Sequence, residues 1–169
     1  RYACTQHGRR VMTQMPPETA HGASYSVPLI RQFSIFLENR VGRLVDVLRS
    51  FDEAEDVRVH ALAVLEASDF AVVRFIPDNA DATRLLLRER GSAFAEMDLL
   101  VSELAPDRTL SRLCQFLLGA ELNIQFMYPL LGDNQDFGPR MAICCDDNVF
   151  AGQILLRKGF RLIGASDLR

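Results

Sequence analysis

Phe33-Ser34-Ile35-Phe36-Leu37-Glu38-Asn39-Arg40-Val41-Gly42-Arg43-Leu44 is the stretch on which the fold turns. Its first five residues make the apolar run of a strand, and Glu38 to Gly42 is a polar loop in which Asn39 is placed to cap a helix. Leu44, Val47, Leu48 and Phe51 then recur at i, i+3, i+4 and i+7, the stripe of an amphipathic helix. Working outward, Val57 to Val64 alternates as a strand, Ala67-Ser68-Asp69 breaks it, and Phe70 to Ile76 predicts the next. Pro77-Asp78-Asn79 opens a second helix that carries Leu85, Leu86 and Leu87 and stops at Gly91. Phe94 to Leu104 is extended again. The order is β-α-β-β-α-β.

That order recurs. Leu110, Leu113, Cys114 and Leu117 repeat the helical stripe 66 residues after Leu44, Val47, Leu48 and Phe51. Leu122-Asn123-Ile124 answers Val57-Arg58-Val59, Met141 to Cys145 is a strand of buried type, and Asp147-Asn148 answers Asp78-Asn79. Leu155-Leu156-Arg157 lies 69 residues after Leu86-Leu87-Arg88, and Gly159 closes its helix as Gly91 does. The ordered set indicates an internal duplication. A β-α-β-β-α-β unit gives an antiparallel four-stranded sheet with both helices on one face, the ferredoxin-like arrangement of the α+β class. Met97-Asp98-Leu99 runs from the last strand of one unit into the first of the next without a linker, so the units are expected to be rigidly coupled.

Composition narrows the function. The chain has 169 residues, 49% apolar and 24% charged, with a net charge of −3, values of an ordinary globular protein. Residues 1–31 carry four basic side chains against Glu18, which leaves fifteen basic against twenty-one acidic in the remainder. So acidic a body is a poor partner for nucleic acid. No stretch reaches the ~18 apolar residues of a membrane span. Residues 1–30 lack hydrophobic periodicity and read as a flexible N-terminal leader, without the apolar core of a secretory signal. Cys4, Cys114, Cys144 and Cys145 form no C-x-x-C pair, and His7, His21 and His60 are scattered, so neither a metal site nor another cofactor is expected. Cys144 and Cys145, adjacent on a strand, are expected on opposite faces as buried, reduced thiols, which fits a cytoplasmic location.

Three stretches carry a family resemblance. Phe36-Leu37-Glu38-Asn39-Arg40-Val41-Gly42-Arg43-Leu44 is similar to FLENKPGRL, Ser68-Asp69-Phe70-Ala71-Val72-Val73-Arg74 to SDFGILR, and Asn123-Ile124-Gln125-Phe126-Met127-Tyr128 to NIEYMY. With the duplication they make residues 32–164 resemble the small bacterial proteins built from two tandem ACT domains, which are amino-acid-binding regulatory modules. The resemblance implies two tandem ferredoxin-like ACT domains at 31–97 and 98–169. It also implies a free amino acid bound between domains, a dimer of chains, and a regulated enzyme or transporter in trans. Val41 stands where the family has proline. In the second unit Asp107-Arg108 runs directly into Thr109-Leu110, so the expected Pro-Gly is missing and an equivalent second site is in doubt.

The residues themselves support a site at the first loop. In this topology Glu38, Asn39, Arg40, Val41, Gly42, Arg43 and Leu44 share one end of the sheet with Ser68, Asp69 and Phe70. A helix N-terminus offers unpaired N–H groups and the positive end of a dipole to a carboxylate. Gly42 lets backbone approach the ligand, and Asp69 or Glu38 is placed to hold an ammonium. The resemblance adds Asn123, Ile124, Gln125, Phe126, Met127 and Tyr128 from the facing unit. On an ordinary strand Ile124, Phe126 and Tyr128 share one face, with Gln125 and Met127 on the other. His60 reads as a structural or rim residue. Against these readings stand a turn-shaping Gly42 with Asn39 as a plain cap, and a ligand-free dimerisation module. An acetyl-CoA-dependent acyltransferase is the enzyme alternative: Ile154 to Phe160 resembles a late segment of that fold, but its Gly-rich pyrophosphate loop is missing. No nucleophile elbow or phosphate loop is present, and no catalytic residue is assigned.

Overall fold

Strand β1 (Ile30–Glu38) leads into helix α1 (Arg43–Asp52), then β2 (Val59–Glu66), β3 (Phe70–Pro77), α2 (Ala80–Glu89) and β4 (Phe94–Glu103). The chain continues through α3 (Leu110–Leu118), β5 (Ile124–Pro129), β6 (Arg140–Cys145), α4 (Asn148–Arg157) and β7 (Arg161–Leu162) to a 3-10 turn at Ala165–Leu168. This computed structural model describes residues 26–38, 40–66, 70–132 and 138–168. The α+β fold of two ferredoxin-like βαββαβ units with antiparallel pairing is observed.

Most of the expected leader, residues 1–25, lies outside the described part; of the rest, Val27 and Leu29 pack into the second unit's helix-side core and Ile30 opens β1. A Cβ on Gly152 of α4 would collide with the Val27 side chain, so glycine there makes room for the strand's approach. Two apolar residues before a strand have no periodicity, which hid their burial.

The sheet runs β2-β3-β1-β4-β6-β5, with β7 also on β4. One strand serves both units. The first half of β4 pairs with β1, from Ile35↔Phe94 to Ile30↔Leu99. Its second half pairs with β6, from Leu100↔Ile143 to Glu103↔Arg140, and with β7 at Ser102↔Leu162. Alternation along β4 then sorts the core. Phe94 joins the cluster under α1 and α2, and Leu100 joins the cluster under α3 and α4. Leu99 and Val101 point the other way, into a third cluster with Ile30, Ala61, Ile76, Tyr128, Ala142 and Ile163. The helix-free faces of both units therefore fold onto each other around β4. The end strands β2 and β5 meet, and the Leu131 N–H donates to the His60 carbonyl at 2.7 Å.

Two polar contacts fix this arrangement. The Tyr128 hydroxyl donates to Gln32 Oε1 at 2.7 Å across the inner core, and Gln32 is fully buried. Burial pushes the Tyr128 hydroxyl pKa upward, so it stays a donor. On the outer face Arg84 Nε and Nη2 donate to the two Glu96 oxygens at 2.6 and 2.7 Å, a bidentate pair that ties α2 to β4.

Tyr128→Phe strands the Gln32 amide and is expected to cost about 1–3 kcal/mol. In urea titration the midpoint falls while the slope is unchanged. The Arg84 hydrogen bonds, more than the nearby charges of Arg84 and Arg31, hold the Glu96 carboxyl below its ordinary range. Its contribution is therefore complete above pH ~4–5 and lost as pH falls through the lowered folded value. The stability gap between wild type and Glu96→Gln is expected to be constant near neutrality and to close on acidification, measured by thermal unfolding at stepped pH.

Candidate functional site

Helix α1 is entered through Gly42, whose φ of +93° is a conformation that L side chains rarely adopt. No side chain among the described residues caps this helix. The Arg43 N–H reaches the Arg40 carbonyl at 3.3 Å, but the N–H groups of Leu44 and Val45 have no partner among the described residues. The other three helices differ. Asn79 Oδ1 accepts from Ala82 N at 3.1 Å, Thr109 Oγ1 from Arg112 N at 3.4 Å, and Asp147 Oδ1 from Phe150 N at 2.8 Å. Thr109 thus caps α3. A tight turn precedes it, with the Arg108 N–H on the Ala105 carbonyl at 2.9 Å. The two corresponding loops are unequal: one is closed by its own bonds, the other is open.

Around the open loop the strands bring the expected neighbours together. Glu38 pairs with Phe70 and Phe36 with Val72, so the ends of β1 and β3 flank the head of α1. Glu38 Oε2 lies 3.3 Å from Arg40 Nε. Asn39, Ser68 and Asp69 lie outside the described residues. On the inner face, where the second unit stops covering the first, Phe36, Leu65 and Phe70 are 47, 41 and 46% exposed. Val41 and Arg43 are exposed, and Leu44 packs partly into the first unit's core.

The stretch from Asn123 to Tyr128 divides. A register shift between Ile124 and Phe126 breaks the simple alternation expected for β5. Ile124 and Met127 turn into the core beneath α3 and α4, whereas Phe126 and Tyr128 face the inner core. Gln125 is exposed, and its Oε1 accepts from Cys144 Sγ at 3.5 Å. The Asn123 N–H is held by Asp146 Oδ1 at 3.2 Å. The Arg74 guanidinium lies 3.8 Å from the Phe126 ring centroid, a cation–π contact between the units. Stepping from Tyr128 to Phe126 moves from Gln32 to Arg74, the register partner of Ser34, and so toward the loop end of β1. No hydrogen bond or ion pair joins residues 40–44 to β5 among the described residues.

The remaining chemistry is muted. Cys144 lies in the inner core and Cys145 in the helix-side core, on opposite faces as adjacent strand residues must be. Burial pushes the Cys144 thiol up and takes Cys145 up to about 11, so neither supplies a thiolate near neutral pH. Among the described residues no His/Cys/Asp/Glu group has metal-binding geometry. None of their helices is long and apolar enough to cross a membrane.

Gly42→Ala meets open space but forces a side chain into a left-handed conformation, at an expected cost of about 1–2 kcal/mol. Thr109→Ala is expected to cost about 1 kcal/mol through the lost cap. Denaturant midpoints of the two variants check both.

Comparison with known proteins accords with this geometry. A family model described as an ACT domain pair matches residues 29–168. The fold is shared with a protein of Bacteroides thetaiotaomicron at 27% identity and a TM-score of 0.72, covering 83% of this chain and 95% of that one. It is shared also with the ligand-free regulatory subunit of aspartate kinase from Thermus thermophilus, at 11% identity and a TM-score of 0.51, over 78% and 93% of the two chains. No curated protein matches. The chain belongs to the ACT-domain-pair family.

Proposed function

We propose that this ACT-domain pair is a non-catalytic, cytoplasmic regulatory module that binds a free amino acid at the head of α1. The observation that carries the reading is the N-terminus behind Gly42, which no side chain among the described residues caps, set beside the uncovered apolar face of Phe36, Leu65 and Phe70, while the other three helices are capped by their own side chains. Two N–H groups without a partner among the described residues, at the positive end of a helix, suit a carboxylate. Arg40 and Arg43 add positive charge at the same end. Glu38 shares the inner face with Phe36 and is the proposed partner of the ammonium; Asp69, the residue before Glu38's register partner Phe70, is the alternative. The exposed rings accommodate an apolar side chain, and Gln125 and Phe126 at the near end of β5 complete the site from the second unit. Binding there touches both units, which suits a sensor that acts on an enzyme or transporter in trans.

A second reading rests on the same apolar face. Phe36, Leu65 and Phe70 also suit the surface of a second copy, which makes the chain a dimerisation module without ligand.

A thermal-shift screen of the full chain against the twenty amino acids separates the two. At least one amino acid is expected to raise the midpoint, with saturable heat in calorimetry. Gly42→Leu is expected to abolish that binding, whereas Gly159→Ala, which imposes the same kind of backbone strain at a φ of +78° beside Arg108 in the second unit, keeps it. Glu38→Gln is expected to weaken binding by roughly 1.5–3 kcal/mol. A flat screen from a protein that sediments as a stable dimer favours the second reading.

A further inference from the structure

The outer face of the second unit is built unlike that of the first. Helices α1 and α2 carry both signs of charge along their length, from Arg43, Asp46 and Arg49 to Asp81, Arg88 and Glu89, as a solvated face does. In α3 and α4 the only charged residues are Arg112 and Arg157. From Leu113 to Ala120 and from Asn148 to Leu156 nothing is charged. Leu118, Val149 and Phe150 are nevertheless 74, 50 and 43% exposed there, beside the exposed neutral amides of Gln115 and Gln153. An uncharged helix pair that presents apolar side chains marks a surface made to meet another.

The charges sit at the two ends of the pair, sorted by sign. β4 and β6 are antiparallel, so α3 and α4, which follow them, run in opposite directions. The head of α3 therefore lies beside the tail of α4, where the Arg108 guanidinium rests against Gly159. Arg112, Arg157 and Lys158 are exposed at that end, and Lys158 Nζ lies 5.0 Å from the Phe116 ring centroid. None of the three has a carboxylate partner among the described residues, the nearby acids Asp107 and Glu103 being paired with Arg108 and Arg161. At the opposite end Glu121 follows α3 and Asp146 and Asp147 precede α4, with the Asn123 N–H on Asp146 Oδ1 at 3.2 Å drawing the two loops together. These three carboxylates are exposed and have no cationic partner among the described residues.

A face that is basic at one end, apolar in the middle and acidic at the other is complementary to itself. Turned about a two-fold axis that lies in the face and crosses the helices at right angles, it meets a copy running the other way. Cations then oppose carboxylates at both ends, and apolar side chains meet between them. A flat anionic surface would meet the carboxylates together with the cations, which costs affinity. We propose that the outer face of α3 and α4 is the interface of a two-fold dimer of this chain, with Arg112, Arg157 and Lys158 of each copy opposite Glu121, Asp146 and Asp147 of the other. The interface uses neither the head of α1 nor the apolar face around Phe36, and so does not depend on the ligand reading.

Equilibrium sedimentation of the full chain tests it on wild type and two charge-swap variants, Arg112→Glu/Arg157→Glu and Glu121→Lys/Asp146→Lys. Wild type is expected to be a dimer at micromolar concentration whose dissociation constant rises roughly tenfold or more between ~0.05 and ~0.5 M salt. Each variant alone sets like charges opposite one another and is expected to be monomeric. An equimolar mixture restores opposite signs at both contacts and is expected to form a one-to-one pair. A dimer that persists in both variants, or that salt does not weaken, lies on another surface and overturns the proposal. A monomeric wild type overturns it too, as does a monomeric mixture of variants whose circular dichroism is native.

Discussion

Everything in this molecule depends on one strand being shared. β4 gives its first half to β1 and its second half to β6 and β7, so neither ferredoxin-like sheet is complete without it. Because side chains alternate along a single strand, the two sets of helices must lie on the same outer side of the curled sheet, and Leu99 and Val101 must point inward. The inner faces are apolar and have only each other to cover them. Their cluster, with buried Gln32 hydrogen-bonded to Tyr128, is what a domain boundary between units would otherwise expose.

The same geometry leaves two unfilled ends. At one end the first unit's sheet runs beyond its cover, and the apolar face opens beside an uncapped helix. At the other end the β2 start and the terminal turn leave a polar cavity between the units. The duplication is not symmetric in structure, because Thr109 caps α3 whereas no side chain among the described residues caps the helix behind Gly42.

Much of this was legible in residues alone. The stripes at Leu44 to Phe51 and Leu110 to Leu117 located α1 and α3, Pro77-Asp78-Asn79 and its match Asp147-Asn148 located α2 and α4, and the passage through Met97-Asp98-Leu99 without a linker announced that the units are joined strand to strand. Three things were hidden. The bulge in β5 inverted the faces of Ile124 and Gln125, since a register shift depends on the partner strand rather than on local pattern. Val27 and Leu29 are buried by distant helices, with no periodicity to show it. The cavity joins Arg58, His60, Asp78, Arg140 and Asp167 from four segments, and no spacing in the chain connects them. His60 carried the one available signal, an imidazole on an otherwise apolar strand.

The central claim is that a shared strand makes two units one cooperative body. Scanning calorimetry of the full chain tests it most directly. The account predicts a single transition whose calorimetric and van't Hoff enthalpies agree. Two resolved transitions, or a van't Hoff enthalpy near half the calorimetric value, would contradict it.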